Sequence, residues 1–461
     1  MNNQLKETAI LGAGLCGLGM AARLQQEKLP YDQFEKMPDL GGNWRYGVYE
    51  SVHIISSKKT TEYPEYPMPA DYPNFPSYRQ MLAYLENYAA HFNLKENIQF
   101  NSEILSIEPE EDKWRIRFAN QPDAIYKRVV VCNGHHWHRR FPSYPGKFTG
   151  EVIHSKNYKT EEQIRGKRVL VVGAGNSALD IAVEAGRVSD LAEISMRKGR
   201  WIIPKSIMGV PTVDVIQPWM PAWLTKILAH GIIKLQAGDA TRYGMPDPGQ
   251  NLFEHHPTVN SQFMYSLEHG DVSIRPEIDS FKNKQVFFKD GTYGEYDMIV
   301  YATGFHVSFP MLKSLGFKYN KHGMPDIVKG MFPRDHKGLY ILGGVGQPRY
   351  GAGPLVSAAA DLLVELFKVE KSMPEPFGRT MMRMGVGPLE KEALDPFEVL
   401  RATAGLKRIT GFLPIISSFL KELPLNPADL EYEVRKNYTL PPPGTAALQV
   451  KSNARYAKQV A

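Results

Sequence analysis

A short strand, a glycine turn and a helix follow one another twice in this sequence, and the second copy constrains the fold most. Residues 167–172 form a β-branched run, after which Gly173, Gly175 and Ala178 stand at the spacing of a dinucleotide-binding turn. The first glycine permits a tight turn, the second lets the backbone approach a pyrophosphate, and the third position needs only a small residue. The pattern predicts a helix whose N-terminus faces phosphates.

The first copy lies near the N-terminus. Thr8–Leu11 predicts a buried strand, and Gly12, Gly14 and Gly17 follow it. The next predicted strand ends in Glu35, at the position where an acid hydrogen-bonds an adenosine ribose and disfavours a ribose 2′-phosphate. This site therefore fits FAD or NAD.

The corresponding position in the second copy is basic. The strand predicted over 191–196 is followed by Arg197, Lys198 and Arg200. Cations at this place accommodate a ribose 2′-phosphate, so the second site is predicted to prefer NADPH over NADH. The alternative interpretation is a solvated charge run.

Between the two copies, Phe148, Gly150, His154 and Tyr158 fit the pattern F-x-G-x-x-x-H-x-x-x-(Y/W). This stretch resembles the fingerprint of the class B flavoprotein monooxygenases, to which the flavin-containing monooxygenase family belongs. In Baeyer–Villiger members a tryptophan followed by proline or aspartate is usual, whereas Lys159 follows the tyrosine here. The alternative is an interdomain linker whose histidine and tyrosine only satisfy backbone groups.

A second resemblance lies after the first copy. Residues 41–44 are similar to the G-G-x-W segment that lies along the flavin in this family, and Ser56 and Lys58 extend the similarity. Mammalian-type members carry an asparagine three residues before that lysine, in contact with the reactive flavin oxygen, where this chain has Ile55. In this respect the chain resembles the plant auxin-forming branch. The resemblance makes Ile55, Ser56 and Lys58 candidates for positions near the flavin and requires no side-chain nucleophile.

The two turns and the resemblance together imply a set of cofactor-binding residues. They are Gly12, Ala13, Gly14, Leu15, Cys16, Gly17, Glu35, Lys36, Asn43 and Trp44 for FAD; Gly173, Gly175, Asn176, Ser177, Ala178, Arg197, Lys198 and Arg200 for NADPH; and Thr303, Gly304 and Gly343 where the chain returns to the flavin.

The expected fold class is α/β, with two Rossmann-like dinucleotide-binding domains and the NADP domain inserted into the FAD domain. The predicted division is 1–160 for the first part of the FAD domain, 161–300 for the NADP domain, 301–375 for the second part of the FAD domain and 376–461 for a C-terminal extension without assigned chemistry. Alternating runs at 98–107 and 114–118 predict a small antiparallel insertion. The apolar stretch 215–236 predicts a helix, for which a core or channel wall is favoured over peripheral membrane contact.

The reaction that the resemblance implies is reduction of FAD by NADPH, formation of a flavin hydroperoxide and transfer of one oxygen atom to a small molecule. A nucleophilic nitrogen or sulfur atom is the predicted acceptor. The alternatives are a Baeyer–Villiger or oxidatively decarboxylating monooxygenase acting on a carbonyl substrate, and a largely uncoupled NADPH oxidase. Partners are molecular oxygen and the substrate; a homodimer is left open.

Composition excludes several other classes. The 461 residues carry a net charge of +6, but no basic block interleaved with aromatics indicates nucleic-acid binding. The two cysteines, Cys16 and Cys132, give neither a disulfide framework nor the redox pair of a disulfide reductase, and favour a cytoplasmic setting. His135, His136 and His138 cluster without further ligands nearby, so no metal site is predicted.

Overall fold

The structure is a computed structural model that describes most of residues 7–425. The residues outside the description are 1–6, 216–219, 221–226, 228–230, 232–239, 250–257, 349–350, 391–392, 424 and 426–461. The helix predicted over 215–236 therefore lies largely outside the described residues.

Five parallel strands form the first sheet. In spatial order they are Leu339–Ile341, Arg128–Val131, Thr8–Leu11, Tyr31–Phe34 and Ile98–Gln99. Numbered along the chain this order is 5-4-1-2-3, so the strand that precedes the first glycine turn is central and the strand order reverses beside it. In open α/β sheets, ligands bind outside the carboxyl ends of the strands at such a point.

A second sheet of five parallel strands contains the second glycine turn. In spatial order its strands are Glu151–His154, Met298–Tyr301, Arg168–Val172, Leu191–Ser195 and Ser273–Arg275. The outer strand, Glu151–His154, carries part of the linker fingerprint. This strand pairs with Met298–Tyr301 and lies before residue 161, at which the sequence predicts the NADP domain to begin.

Both sheets are covered on both faces, because successive side chains of a strand point in opposite directions. Ile10 packs into one apolar cluster, whereas its neighbour Leu11 packs into another on the opposite face. Val171 and Val172 divide in the same way between the two clusters of the second sheet. Near-continuous apolar runs in the sequence are the consequence.

The helices are labelled here in chain order. They are α1 Leu15–Gln26, α2 Asn43–Tyr46, α3 Lys58–Thr61, α4 Tyr78–His91, α5 Asn176–Val188, α6 Thr212–Val215, α7 Phe263–Glu268, α8 Gly353–Val369, α9 Phe377–Arg383, α10 Pro396–Ile409 and α11 Leu413–Leu420. Short 3₁₀ turns occur at Leu94–Asn97, Glu161–Gln163, Ala240–Tyr243, Pro310–Leu315, Glu370–Ser372 and Thr410–Phe412.

The remaining strands form smaller sheets. Three antiparallel strands are Ile104–Glu110, Lys113–Phe118 and Ala124–Tyr126, and a four-stranded sheet contains Tyr293–Glu295, Gln285–Phe288, Ile278–Asn283 and Gly146–Phe148. Paired short strands are His138–Arg139 with Phe305–His306, Ile202–Ile203 with Thr258–Val259, Ser206–Ile207 with Val210–Pro211, Ile327–Val328 with Phe332–Pro333, and Gln347–Pro348 with Ala393–Leu394.

The predicted antiparallel insertion needs one correction. Ile98–Gln99 joins the first parallel sheet, and only Ile104–Glu110 pairs with Lys113–Phe118. Asn101 has φ of 55°, a left-handed conformation that ends the extended run between the two strands. Among the described residues, no helix has both the length and the apolar character needed to cross a bilayer.

Candidate active site

The carboxyl ends of both parallel sheets open onto one cavity of about 2260 Å³. The first glycine turn contributes Gly12 and Gly14 to its wall, and the second contributes Gly173 and Gly175. Pockets for a single small ligand usually measure about 300–1,000 Å³. The cavity is therefore large enough for more than one ligand, and both turns face it.

Two glycines of the first turn are packed too closely to be replaced by any residue with a Cβ. A Cβ on Gly12, whose φ is 100°, would lie 2.6 Å from the Cys132 carbonyl oxygen. A Cβ on Gly17 would lie 1.9 Å from the Gly12 carbonyl oxygen, so α1 begins in direct contact with the strand before it. Gly14 differs, since its nearest neighbour would be the Gly42 Cα at 3.5 Å. The backbone at Gly14 can therefore approach a phosphate.

Glu35 is tied to this turn by both of its oxygens. Oε2 accepts a hydrogen bond from the Ala13 backbone N–H at 2.8 Å, and Oε1 accepts one from Met37 at 2.9 Å. The side chain is buried but still lines the cavity. Each carboxylate oxygen accepts more than one hydrogen bond, so Glu35 retains capacity for a ribose hydroxyl.

A buried polar atom beside the first turn lacks a partner. Asn133 follows Cys132 at the cavity wall and donates through Nδ2 to the Ser308 carbonyl oxygen at 3.1 Å. Its Oδ1 is buried without a hydrogen-bond partner in the part of the chain that the structure describes. Native proteins rarely leave such an atom unsatisfied. A ligand donor group, such as an amino or hydroxyl group of FAD, fits this position.

The second turn has the same first glycine but more open space. A Cβ on Gly173 would lie 2.3 Å from the Ala302 carbonyl oxygen, whereas a Cβ on Gly175 would meet nothing within 4 Å. Asn176 is committed to structure, because its Oδ1 accepts from the Val259 backbone N–H at 2.8 Å. Ala178 is fully buried, so its role is the packing that the sequence predicts for a small residue.

The predicted basic group lies at the cavity wall. Arg197, Lys198 and Arg200 all line the cavity just past the strand Leu191–Ser195. Arg197 and Lys198 are exposed and form no ion pair with any described residue. Cations without carboxylate partners at this point are available to a phosphate.

The linker histidine, His154, is hydrogen-bonded to the segment that follows the last strand of the second sheet. His154 is 1% exposed, and its Nε2 lies 3.1 Å from the Gly304 carbonyl oxygen. The Lys156 backbone N–H donates to Nδ1 at 3.1 Å, so the ring proton is on Nε2 and is donated to Gly304. Burial is the main cause that lowers the pKa of His154 to about 4. Tyr158, also fully buried, donates its hydroxyl to Glu184 on α5.

The structure places the three residues predicted near the flavin, Ile55, Ser56 and Lys58, in two different environments. Ile55 and Ser56 line the cavity, and Ser56 is hydrogen-bonded to Thr61 at 2.7 Å. Lys58 instead donates its Nζ to the carbonyl oxygens of Ala70, at 2.9 Å, and Tyr72, at 2.8 Å. These hydrogen bonds attach the loop around residues 70–72 to the start of α3. The other predicted residues on the cavity wall are Leu15, Cys16, Lys36, Asn43, Trp44, Ser177, Thr303, Gly304 and Gly343.

Of the cysteines and histidines near the first turn, Cys132 is buried, whereas Cys16, His135 and His136 are partly buried. Burial raises the pKa of the Cys16 thiol to about 12 and that of Cys132 well above its usual range, which disfavours thiolate chemistry. Burial also lowers the pKa values of His135 and His136, which line the cavity. No three His, Cys, Asp or Glu side chains converge as metal ligands within the described ranges.

Sequence reasoning missed the C-terminal wall of the cavity. Helix α10 presents one face to it, consisting of Glu398, Val399, Ala402, Thr403 and Leu406. This helix is attached to α8 by an ion pair in which Lys407 Nζ lies 2.7 Å from Asp361 Oδ2. Asp395 followed by Pro396 is a helix-start signal that could have located α10, because the Asp395 side chain caps its N-terminus.

The sequence matches the family model "Flavin-binding monooxygenase-like" over residues 5–393. A similar curated protein is dimethylaniline monooxygenase [N-oxide-forming] 2 of Oryctolagus cuniculus, 31% identical over an alignment that covers 82% of this chain and 76% of the relative. Another is the probable indole-3-pyruvate monooxygenase YUCCA9 of Arabidopsis thaliana, 30% identical with coverage of 82% and 92%.

Solved structures share the fold at lower identity. An open crystal structure of cyclohexanone monooxygenase is similar with a TM-score of 0.68 and 16% identity, covering 88% of this chain and 98% of that one. Tmm from Pelagibacter sp. strain HTCC7211 is similar with a TM-score of 0.61 and 21% identity, covering 90% of each chain. These likenesses support the α/β fold.

Proposed function

The chain belongs to the flavin-binding monooxygenase-like family, and we propose that it oxygenates a nucleophilic nitrogen or sulfur atom of a small molecule. Proteins of this family are oxidoreductases that use FAD and NADPH, and these are the cofactors of this chain. The bound flavin supplies the redox chemistry, in which electrons from NADPH activate molecular oxygen and one oxygen atom goes to the substrate. The residues of the chain bind, orient and enclose these partners.

FAD is assigned to the first sheet and NADPH to the second. The observation that carries this proposal is that two glycine turns face one cavity with opposite charge at the ends of the following strands. Glu35 would accept a ribose hydroxyl and repel a 2′-phosphate, whereas Arg197 and Lys198 would pair with one. The strand orders support two dinucleotide-binding domains, the second inserted into the first, with a C-terminal extension.

The side chains between the turns would orient the two cofactors. Asn43 and Trp44 line the same cavity as Thr303 and Gly304. Ile55 adds an aliphatic surface that offers no hydrogen-bond donor to an activated oxygen. Apolar enclosure would keep water from the reacting centre.

A nitrogen or sulfur acceptor is favoured over a ketone by the residue that follows the fingerprint tyrosine. Lys159 donates its Nζ to the Val48 carbonyl oxygen at 3.0 Å and lies 3.3 Å from that of Tyr46. The proline of Baeyer–Villiger members has no donor for these contacts, and an aspartate cannot donate to a carbonyl. The printed activity of the rabbit relative, N-oxide formation, supports the same acceptor class.

A carbonyl substrate is the second candidate function. It is supported by Ile55, which stands where mammalian-type members carry asparagine, and by the similarity to a probable indole-3-pyruvate monooxygenase. The third candidate function is that of a largely uncoupled NADPH oxidase.

Product analysis separates these three functions. The purified flavoprotein is supplied with NADPH, isotopically labelled oxygen and, in turn, amines, thioethers, ketones and 2-oxo acids. The proposal expects labelled N-oxides or S-oxides, and it fails if only the carbonyl compounds are turned over. Hydrogen peroxide equal to the NADPH consumed with every substrate would indicate an oxidase. The Gly14→Trp variant, designed to exclude flavin, controls for reaction without cofactor.

A further inference from the structure

Lys156, two residues after the linker histidine, carries a half-buried ammonium group at the cavity wall. Its Nζ lies 3.7 Å from the centre of the Trp137 ring and donates to Asn43 Oδ1 at 2.8 Å. The group is thus held between an aromatic face and an amide oxygen, two partners that orient a cation without neutralising it. No carboxylate in the described part of the chain pairs with it.

The charged groups around Lys156 are cations. Burial comes first among the causes that lower the pKa of Lys156 to about 7, followed by Lys159, Lys36 and Arg139. The nearby imidazoles of His136 and His154 also carry lowered pKa values, to which Lys156 contributes. Lys36 Nζ lies 5.2 Å from the same Trp137 ring. Within the described residues, Lys156, Lys159, Lys36 and Arg139 form no ion pair with a carboxylate, and an anion would stabilise the group.

The position of Lys156 points to the first glycine turn. Asn43, its hydrogen-bond partner, directly follows Gly42, whose Cα would lie 3.5 Å from a Cβ on Gly14. The ammonium is therefore one hydrogen bond from a residue adjoining the turn at which a pyrophosphate would bind. Trp137 and Lys36 follow strands of the same sheet.

We propose that Lys156 binds the pyrophosphate of the FAD on the first sheet, so that FAD binding is linked to uptake of a proton and fixes the linker. The inference rests on the FAD placement proposed above. Because Lys156 is carried by the linker and not by the first sheet, its ion pair would connect cofactor occupancy to the position of the second sheet.

The affinity for FAD should depend on pH, because the pKa of Lys156 differs between the FAD-free and FAD-bound states. Without FAD the group loses its proton around pH 7, and a bound pyrophosphate favours the charged form and raises its pKa. Above pH 7 binding therefore takes up as much as one proton, and the affinity for FAD falls by up to about tenfold per pH unit. Well below pH 7 the group is charged in both states and contributes no pH dependence.

Calorimetric titration of the full-length apoprotein with FAD, at about pH 8 in two buffers of different ionisation enthalpy, measures the proton uptake directly. We expect uptake by the wild type and by Lys147→Met, which alters an exposed lysine outside the cavity wall. Lys156→Met should lose the uptake and bind FAD about tenfold or more weakly at neutral pH. Lys156→Arg should keep the affinity but lose the uptake, because arginine stays charged.

Each other outcome has a distinct meaning. Equal proton uptake by wild type and Lys156→Met overturns the inference, and so does the absence of uptake by the wild type, which needs no variant to fold. Uptake only when the FAD-loaded protein is titrated with NADP would assign Lys156 to the other dinucleotide and also overturn it. Failure of the wild type to bind FAD would instead refute the proposed placement.

Discussion

The two glycine turns have the same backbone design and different surroundings. In each, the first glycine has a positive φ, 100° at Gly12 and 143° at Gly173. Each is also packed against a carbonyl oxygen of a neighbouring strand end, that of Cys132 or that of Ala302. The local motif therefore determines how phosphates meet the helix N-terminus, but it does not determine which dinucleotide binds.

The surroundings differ in charge and in space. The first turn is bonded to the carboxylate of Glu35 and lies against Gly42, whereas the second has exposed Arg197 beyond the next strand and open space at Gly175. Neighbouring elements, rather than the glycines themselves, therefore distinguish the two turns.

Bulky substitutions at the two open glycines should have the largest effects, and opposite ones. Gly14→Trp would push an indole into Gly42 and the phosphate position, so we expect complete loss of bound FAD. Gly175→Trp would place its indole in the open cavity, so we expect flavin to remain bound and NADPH to be excluded. Visible flavin absorbance of the purified variants and anaerobic flavin reduction by NADPH measure the two outcomes.

Effects shared by the two variants would contradict the assignment of one dinucleotide to each turn. Loss of flavin from Gly175→Trp, with its circular dichroism unchanged, would mean that the second turn also holds FAD or that one site serves both dinucleotides. Gly405→Trp is the matched control, because this exposed glycine of α10 has no positive φ, lies outside the cavity wall and would place a Cβ with nothing within 4 Å.

The linker histidine joins the two sites, and its titration should affect stability. Burial lowers the pKa of His154 to about 4 in the folded protein, against an ordinary value of 6.5. As the pH falls, the histidine of the unfolded chain is therefore protonated before that of the folded protein. Stability from this group is complete above pH 6.5 and is lost as the pH falls towards 4, by at most about 3 kcal/mol. His154→Gln keeps a donor for Gly304 without titrating, and its urea midpoint should depend less on pH than that of the wild type across this window.

The features predicted from sequence are those that local backbone requirements determine. Gly12 and Gly173 need positive φ or close packing, and strand alternation makes both flanking runs apolar, so both turns and their strands are confirmed. The position of Glu35 at the end of its strand was predictable as well. Its hydrogen bond to Ala13 was not, because it joins the glycine turn to the end of a neighbouring strand.

Features that depend on tertiary contacts were not accessible in this way. Lys58 follows the expected segment, yet its side chain reaches carbonyl groups of the loop around Ala70 instead of the cavity. Helix α10 was assigned no chemistry, because nothing in its own sequence tells that α8 would hold it against the cavity. Lys156 belongs to the linker pattern, but its partners Trp137 and Asn43 come from other elements.

Substitutions at Ile55 test whether this part of the cavity wall controls the fate of activated oxygen. An asparagine there would donate a hydrogen bond that isoleucine cannot, and such a bond to developing charge is worth about 1.5–3 kcal/mol, or roughly one to two powers of ten in rate. We expect Ile55→Asn to release less hydrogen peroxide per NADPH consumed than the wild type, while Ile55→Val changes little. Equal peroxide release from all three proteins would show that this part of the cavity wall does not control coupling.

Arg197 should give the smallest effect, because its side chain is exposed and water competes for the phosphate. We expect Arg197→Ala to raise the KM for NADPH about tenfold and to leave the KM for NADH unchanged, since NADH lacks the 2′-phosphate that the guanidinium would contact. The ratio of the KM for NADPH to the KM for NADH, measured at low and at high salt, gives the electrostatic contribution of Arg197. Arg187→Ala, which removes an exposed cation at the far end of α5, should alter neither constant. If the wild type uses both nicotinamides equally and Arg197→Ala matches it, the basic group is a solvated charge run, and the difference in charge between the two turns no longer separates their ligands.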